Sequence, residues 1–190
     1  MALSTSLFLV GLLASSLGYA LPQPPASAIQ RRSAQDYVND ATSAIGQLQT
    51  WYNTSTGLWS GEWWNSANVL TMLADFDEYF PSSIDSITST VYPNTLERAP
   101  TLYGYTGFLD DYYDDELWWC LAWIQVYDVT QNETYLDVAS SIFEDAKSAW
   151  GTSPCGGLWY VQVLLNPLYC DDMSLTATLG GTKRIAESTL

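Results

Sequence analysis

Seven consecutive residues, Asp110-Asp111-Tyr112-Tyr113-Asp114-Asp115-Glu116, hold the densest set of titratable groups in the chain. When one of two neighbouring carboxylates ionises, its charge raises the proton affinity of the other. One can then attack an electrophilic carbon while its neighbour still has a proton to deliver, a division of labour that glycosidic-bond cleavage requires. Adjacent helical residues point a quarter turn or more apart, so Asp114 and Asp115 can hold their carboxyl groups about 5 Å apart, the spacing of a retaining mechanism. Trp118 and Trp119 each lie four residues beyond one of these acids, so an aromatic wall can flank each, and such rings suit the apolar face of a sugar. Two plainer readings compete. Acids in the first turn of a helix complement its dipole whatever their function, and a Trp pair is more often core than binding wall. A calcium loop fits less well, because Asp111, Asp114 and Asp115 miss the alternating ligand spacing and lack the central glycine.

A second concentration of aromatic and amide groups runs from Trp59 to Asn68. Trp63, Trp64, Asn65 and Asn68 could line a sugar cleft, the amides donating to and accepting from hydroxyls. For any one of them the simpler reading is local, since Asn65 or Ser66 can cap the helix that starts there.

The elements that must carry these groups read as helices. Behind a capping Ser33, the spacing of Tyr37, Ala41, Ile45, Leu48 and Trp51 predicts an amphipathic helix over Ala34 to Tyr52. The polar stretch from Asn53 to Gly61 reads as a turn. Ala67, Leu70, Leu73, Asp77 and Phe80 then predict a second helix from Trp63 to Phe80, stopped by Pro81. A third segment carries Ile84, Ile87 and Val91, with Pro93 expected to kink or end it before Arg98. The aperiodic, aromatic-rich stretch from Ala99 to Tyr113 reads as a long ordered loop of the functional kind. A fourth helix follows over Asp114 to Val129, with a stripe of Leu117, Leu121, Ile124 and Asp128, and a fifth over Glu133 to Trp150. Leu158 to Leu165 could form a short strand or hairpin arm. Helices in succession with short connections point to stacked helical hairpins.

Composition narrows the class further. The chain has 9 Trp and 13 Tyr against 6 Lys and Arg, no His, and a formal net charge of -15, which argues against nucleic acid as a partner. Residues 1–20 are uncharged around an apolar run and end in small residues, as a secretory signal does; a retained membrane anchor is the alternative. Residues 21–32 read as a propeptide-like linker closed by Arg31-Arg32. Asn53 and Asn132 head glycosylation sequons, which fit the surface of a secreted protein. Three cysteines allow one intramolecular disulfide, for which Cys120 with Cys155 is the guess. Three cysteines with no His do not suit a structural zinc site, and no metal or cofactor is expected.

Several motifs stand in an order that resembles glycoside hydrolase family 76. They are Trp-Tyr-Asn at 51–53, Gly-Leu-Trp at 57–59, Trp-Trp-Asn-Ser-Ala-Asn at 63–68, Tyr-Asp-Asp-Glu-Leu-Trp-Trp at 113–119, Leu-Ala-Trp-Ile at 121–124, Tyr-Asp at 127–128 and Cys-Gly-Gly-Leu-Trp at 155–159. The likeness runs from Tyr37 to Tyr160. It implies an all-α, (α/α)6-barrel, retaining endo-α-1,6-mannanase, with Asp114 as nucleophile and Asp115 as acid/base. Tyr113, at the head of the acidic motif, joins Trp63, Trp64, Asn65, Asn68, Trp118 and Trp119 among the expected sugar contacts. The implied partner is an α-mannan polysaccharide or mannoprotein glycan, met by a monomer that is secreted, or associated with the cell wall, without a stable membrane anchor. The departure is at the C-terminal end, where 161–190 reads as a divergent tail in place of further helices. Residues 33–160 would then form roughly half of the barrel, and a half-ring is expected to leave apolar inner surface bare, with loss of activity or aggregation. The competing expectation is a non-catalytic mannan-binding or cell-wall carbohydrate-binding protein.

Overall fold

A computed structural model describes residues 32–151 together with two short strands at 158–159 and 170–171. The expected signal, the linker to residue 31, Cys155 and most of the tail lie outside the described residues. The chain divides into Met1–Ser33 and Ala34–Leu190, and the fold below is that of the second unit.

Among the described residues five helices dominate it: α1 (Ala34–Leu48), α2 (Trp63–Tyr79), α3 (Asp85–Arg98), α4 (Tyr113–Thr130) and α5 (Glu133–Ala149). A 3-10 turn, Gln49–Trp51, ends the first helical run earlier than its periodicity suggests. The stretch read as a turn is in fact a small antiparallel hairpin. Its strands are β1 (Tyr52–Asn53) and β2 (Leu58–Trp59), with Tyr52 opposite Trp59. Gly57 lets it sit tight on α3, for its φ is +72° and a Cβ there would come within 3.0 Å of the Thr95 Cα. Thr95 Oγ1 donates to the Gly57 carbonyl at 3.0 Å, and Asn94 Nδ2 donates to the Tyr52 hydroxyl and the Thr54 carbonyl. These anchors come from the C-terminal half of α3, which runs through Pro93 instead of ending there.

Two pairs of contacts fix the direction of the central helices. The rings of Trp63 and Trp119, both near helix starts, have centroids 5.6 Å apart, while Gln125 Nε2 donates to Glu78 Oε2 at 2.7 Å near the helix ends. α2 and α4 are therefore parallel. α5 returns antiparallel to α4: Trp123 stacks on Tyr135 with ring planes 4° apart, and the Cys120 thiol donates to the Ala139 carbonyl at 3.3 Å. Wedged between α2 and α5, α4 buries far more than one stripe, including Glu116, Leu117, Trp119, Cys120, Ala122, Trp123, Ile124 and Val126. A line of rings, Trp63, Phe108, Trp119, Trp123 and Tyr135, runs through the core.

Beyond α5, β3 (Leu158–Trp159), within the 158–165 stretch read as a short strand or hairpin arm, pairs antiparallel with β4 (Cys170–Asp171). Among the described residues, no helix is long and apolar enough to cross a membrane.

Candidate active site

Parallel packing of α2 and α4 brings the two sequence clusters to one end of the molecule. At the start of α4, Asp114, Asp115 and Glu116 occupy the first turn, where the exposed backbone N–H groups favour negative charge. Asp114 and Asp115 are half-buried. The Asp115 carboxyl is pushed up to about 7, first by burial, then by the charge of Asp114 and then by that of Asp110. Asp110 is itself buried and raised to about 6. Burial is the main cause and the charges of Asp114 and Asp111 add to it, against the opposing hydrogen bond from the Tyr112 N–H.

The loop before α4 is pinned from below. Phe108 sits in the left-handed region at φ 66°, an uncommon conformation for a non-glycine residue, and its ring is buried 4.7 Å from that of Trp119 and 5.3 Å from that of Trp123. Above that plug, the Asp110 N–H donates to Glu116 Oε1 at 2.9 Å, and the Tyr112 N–H donates to Asp110 Oδ1 at 2.9 Å. Glu116 is fully buried. Tyr105 joins the two helix starts: its ring lies 4.9 Å from that of Trp63, and its hydroxyl, raised mainly by desolvation, also feels Asp110, Asp111 and Asp115.

The expected sugar contacts divide. Trp64 and Trp118 are surface rings, 41% and 37% exposed, and Asn65 and Asn68 are half-buried, with Asn68 Nδ2 donating to the Trp64 carbonyl at 3.3 Å. Trp119 is 0% exposed, so its expected role as a sugar wall is corrected: it is core. Trp63 is corrected likewise, being buried with its indole N–H donating to the Ala99 carbonyl. Tyr113 is half-buried and its hydroxyl is raised by desolvation, by Asp145 of α5 and by Glu116, which places it toward α5. Neither Asn65 nor Ser66 caps α2. The N-cap position is Glu62, and the buried Ser66 hydroxyl accepts from the Trp59 N–H and donates to the Glu62 carbonyl, tying β2 to the helix.

Asn53 and Asn132 are both exposed, and the Oδ1 of each accepts a hydrogen bond from the N–H two residues on, which for Asn132 caps α5. Cys155, the partner guessed for Cys120, lies outside the described residues. Cys120 is a free thiol, enclosed by α4 and α5 and pushed up to about 12 by burial. Among the described residues no three His, Cys, Asp or Glu side chains stand together as a metal site.

Sequence reasoning did not single out Asp110, Glu116 and Tyr105 as neighbours of the acidic pair. The first two lay inside the acidic run and carried that much signal. Tyr105 had only its place in an aperiodic aromatic loop.

Stacked helical hairpins with carboxylates clustered at the start of α4 define the class by its fold, an all-α domain. The chain belongs to glycosyl hydrolase family 76, whose family model matches residues 33–174. Among solved structures it is similar to the GH76A alpha-1,6-mannanase from Salegentibacter sp. HEL1_6. The TM-score is 0.52 and the identity 21%, covering 78% of this chain and 49% of that one. The fold is thus that of hairpins forming roughly half of an (α/α)6 barrel, and the chain spans about half the length of that mannanase. No curated protein matches the chain.

Proposed function

We propose that this protein cleaves α-1,6-linked mannan backbones with retention of configuration, Asp114 acting as nucleophile and Asp115 as acid and then base. The observation that carries the reading is the placement of Asp114 and Asp115 side by side and half-buried in the first turn of α4, where burial and the Asp114 charge raise the Asp115 carboxyl to about 7. In the first step Asp115 gives its proton to the glycosidic oxygen as Asp114 attacks the anomeric carbon. The bond to the leaving sugar breaks and a mannosyl ester forms on Asp114. In the second step Asp115 takes a proton from water, the resulting hydroxide attacks the same carbon, and the ester bond to Asp114 breaks, restoring both carboxyl groups to their starting states. The exposed rings of Trp64 and Trp118 at the same end offer apolar faces for flanking sugars. The structural neighbour is an alpha-1,6-mannanase, which supports the choice of linkage.

The test is release of reducing ends from α-1,6-mannan by wild type, Asp114→Asn and Asp115→Asn, with circular dichroism to confirm folding. Each substitution should lower turnover by about 10²-fold or more. Wild-type rates in either variant would remove the assignment. Mannan binding that persists in both, with no reducing ends from any form, would select the non-catalytic binding protein instead.

A further inference from the structure

The acid/base reading gives a role to Asp115 but leaves unexplained why two more carboxylates, Asp110 and Glu116, are held in the same desolvated place. Burying a carboxyl group costs free energy unless it makes compensating hydrogen bonds. Glu116 is fully buried one residue after Asp115, and its Oε1 accepts the Asp110 backbone N–H at 2.9 Å. Asp110 is 7% exposed, and its Oδ1 accepts the Tyr112 N–H at 2.9 Å, which turns the chain into the first residue of α4. Below them, the Phe108 ring is seated in the aromatic core from a positive-φ backbone. Each contact fixes the loop against the start of α4, and from that position the charge of Asp110 acts on Asp115.

We propose that Glu116 and Asp110 form a positioning clamp, in which the buried Glu116 side chain accepts the Asp110 backbone N–H and so seats the Asp110 carboxyl on the loop that faces the start of α4. The use made of the Asp115 proton rests on Asp115 being the acid/base; the clamp's hold on that proton does not. The groups acting on Asp115 are Asp114 on its own helix and Asp110 on the loop, with the Tyr105 hydroxyl of that loop also within electrostatic reach. Among the described residues no cation acts on it. Its proton is therefore retained by burial and by negative neighbours, of which Asp110 is the one supplied from outside α4. Asp110 and Glu116 touch neither nucleophile nor leaving group in this scheme. They act through Asp115.

The experiment is a carboxyl-carbon NMR titration of the full chain labelled at Asp, with the Asp115 signal assigned by its loss in Asp115→Asn. Alongside it run the pH profile of mannan hydrolysis and a thermal melt. Asp110→Asn should lower the Asp115 midpoint by about half a pH unit or more and move the alkaline limb of kcat/KM by the same amount. Glu116→Ala should move both in the same direction, because it frees the Asp110 backbone. Glu116→Gln, which keeps an oxygen acceptor, should restore the midpoint, and Asp110→Asn combined with Glu116→Ala should shift it no further than Asp110→Asn alone. A purely structural role would lower the melting temperature and leave the midpoint in place, and that result overturns the clamp. If Glu116→Ala does not fold, Asp110→Asn and Glu116→Gln still decide the matter. The titration needs no turnover, so a shifted midpoint in a chain that releases no mannose ends sinks the enzymatic reading and keeps the clamp. An Asp115 midpoint in the ordinary carboxylate range sinks both.

Discussion

At the scale of single residues, the raised carboxyls make a stability prediction independent of catalysis. Asp115 titrates near 4 when unfolded and near 7 when folded, so between those values the native state binds a proton that the unfolded chain has lost. Stability from such a group is complete below the unfolded pKa and is lost as pH rises through the folded one. Asp110, raised to about 6, acts in the same direction over a narrower window. Asp115→Asn removes the cost of ionisation, so its melting temperature should gain on wild type steadily from about pH 4 to about pH 7 and hold level above. Paired thermal melts across that range give the difference directly, and a gap that does not widen would mean that Asp115 is not desolvated. The acidic run announced that its carboxyl groups would interact. Glu116 was harder to see, because nothing in a string of acids tells which one turns inward, and a buried carboxylate is recognised only by the N–H that it accepts.

At the scale of elements, α4 shows where periodicity informs and where it stops. Helix existence was legible throughout, and α2, α4 and α5 begin and end within a residue of the bounds their periodicity gives; α3 runs on through Pro93 to Arg98, while α1 stops at Leu48 and the residues that follow form a 3-10 turn. Which of two adjacent tryptophans faces inward was not legible, for α4 is apolar on most sides and Trp118 and Trp119 fit either face of such a helix. Packing by α2 and α5 settles it. The β1–β2 hairpin was hidden because its buried pair, Leu58 and Trp59, stands in a run of Asn, Thr, Ser and Gly, and its stability comes from the distant Asn94 and Thr95. The parallel pairing of α2 and α4, which unites the two site clusters, depends on tertiary contacts that no local pattern records. The distinction between the two indoles is testable. Trp119→Ala should cost about 3–5 kcal/mol in urea unfolding, as a large side chain removed from a closed core does. Trp118→Ala should cost under about 1 kcal/mol and should weaken mannan binding instead. Equal losses of stability would contradict the burial of Trp119 and the surface position of Trp118.

At the scale of the whole molecule, the governing quantity is a net charge of -15 with little to offset it. Between Ala34 and Gly151 the basic residues are Arg98 and Lys147, and each is spent on an exposed pair, with Glu97 and Glu144 respectively. Exposed pairs of that kind add little. The acids, by contrast, gather at both ends of the parallel helices. At the starts of α2 and α4 are Asp110, Asp111, Asp114 and Asp115, and toward their ends lies a cavity of about 370 Å³ lined by Asp77, Asp85, Thr88, Tyr92 and Tyr135. Asp77 is raised there mainly by burial and then by Asp85, and neither α2 nor α4 has a basic residue in its last turn to meet the negative end of the dipole. The compact state therefore carries self-repulsion that the extended chain relieves. Salt should screen it. Raising NaCl from about 0.01 M to about 0.15 M shortens the Debye length from about 30 Å to about 8 Å, less than the length of roughly 25 Å that a helix such as α2 spans. The melting temperature should rise with it, by about 2–4 °C for each kcal/mol of repulsion removed. Melts at fixed pH over an NaCl series measure this, and a melting temperature that falls with added salt would show that attractive pairs, not repulsion, dominate the field of the folded chain.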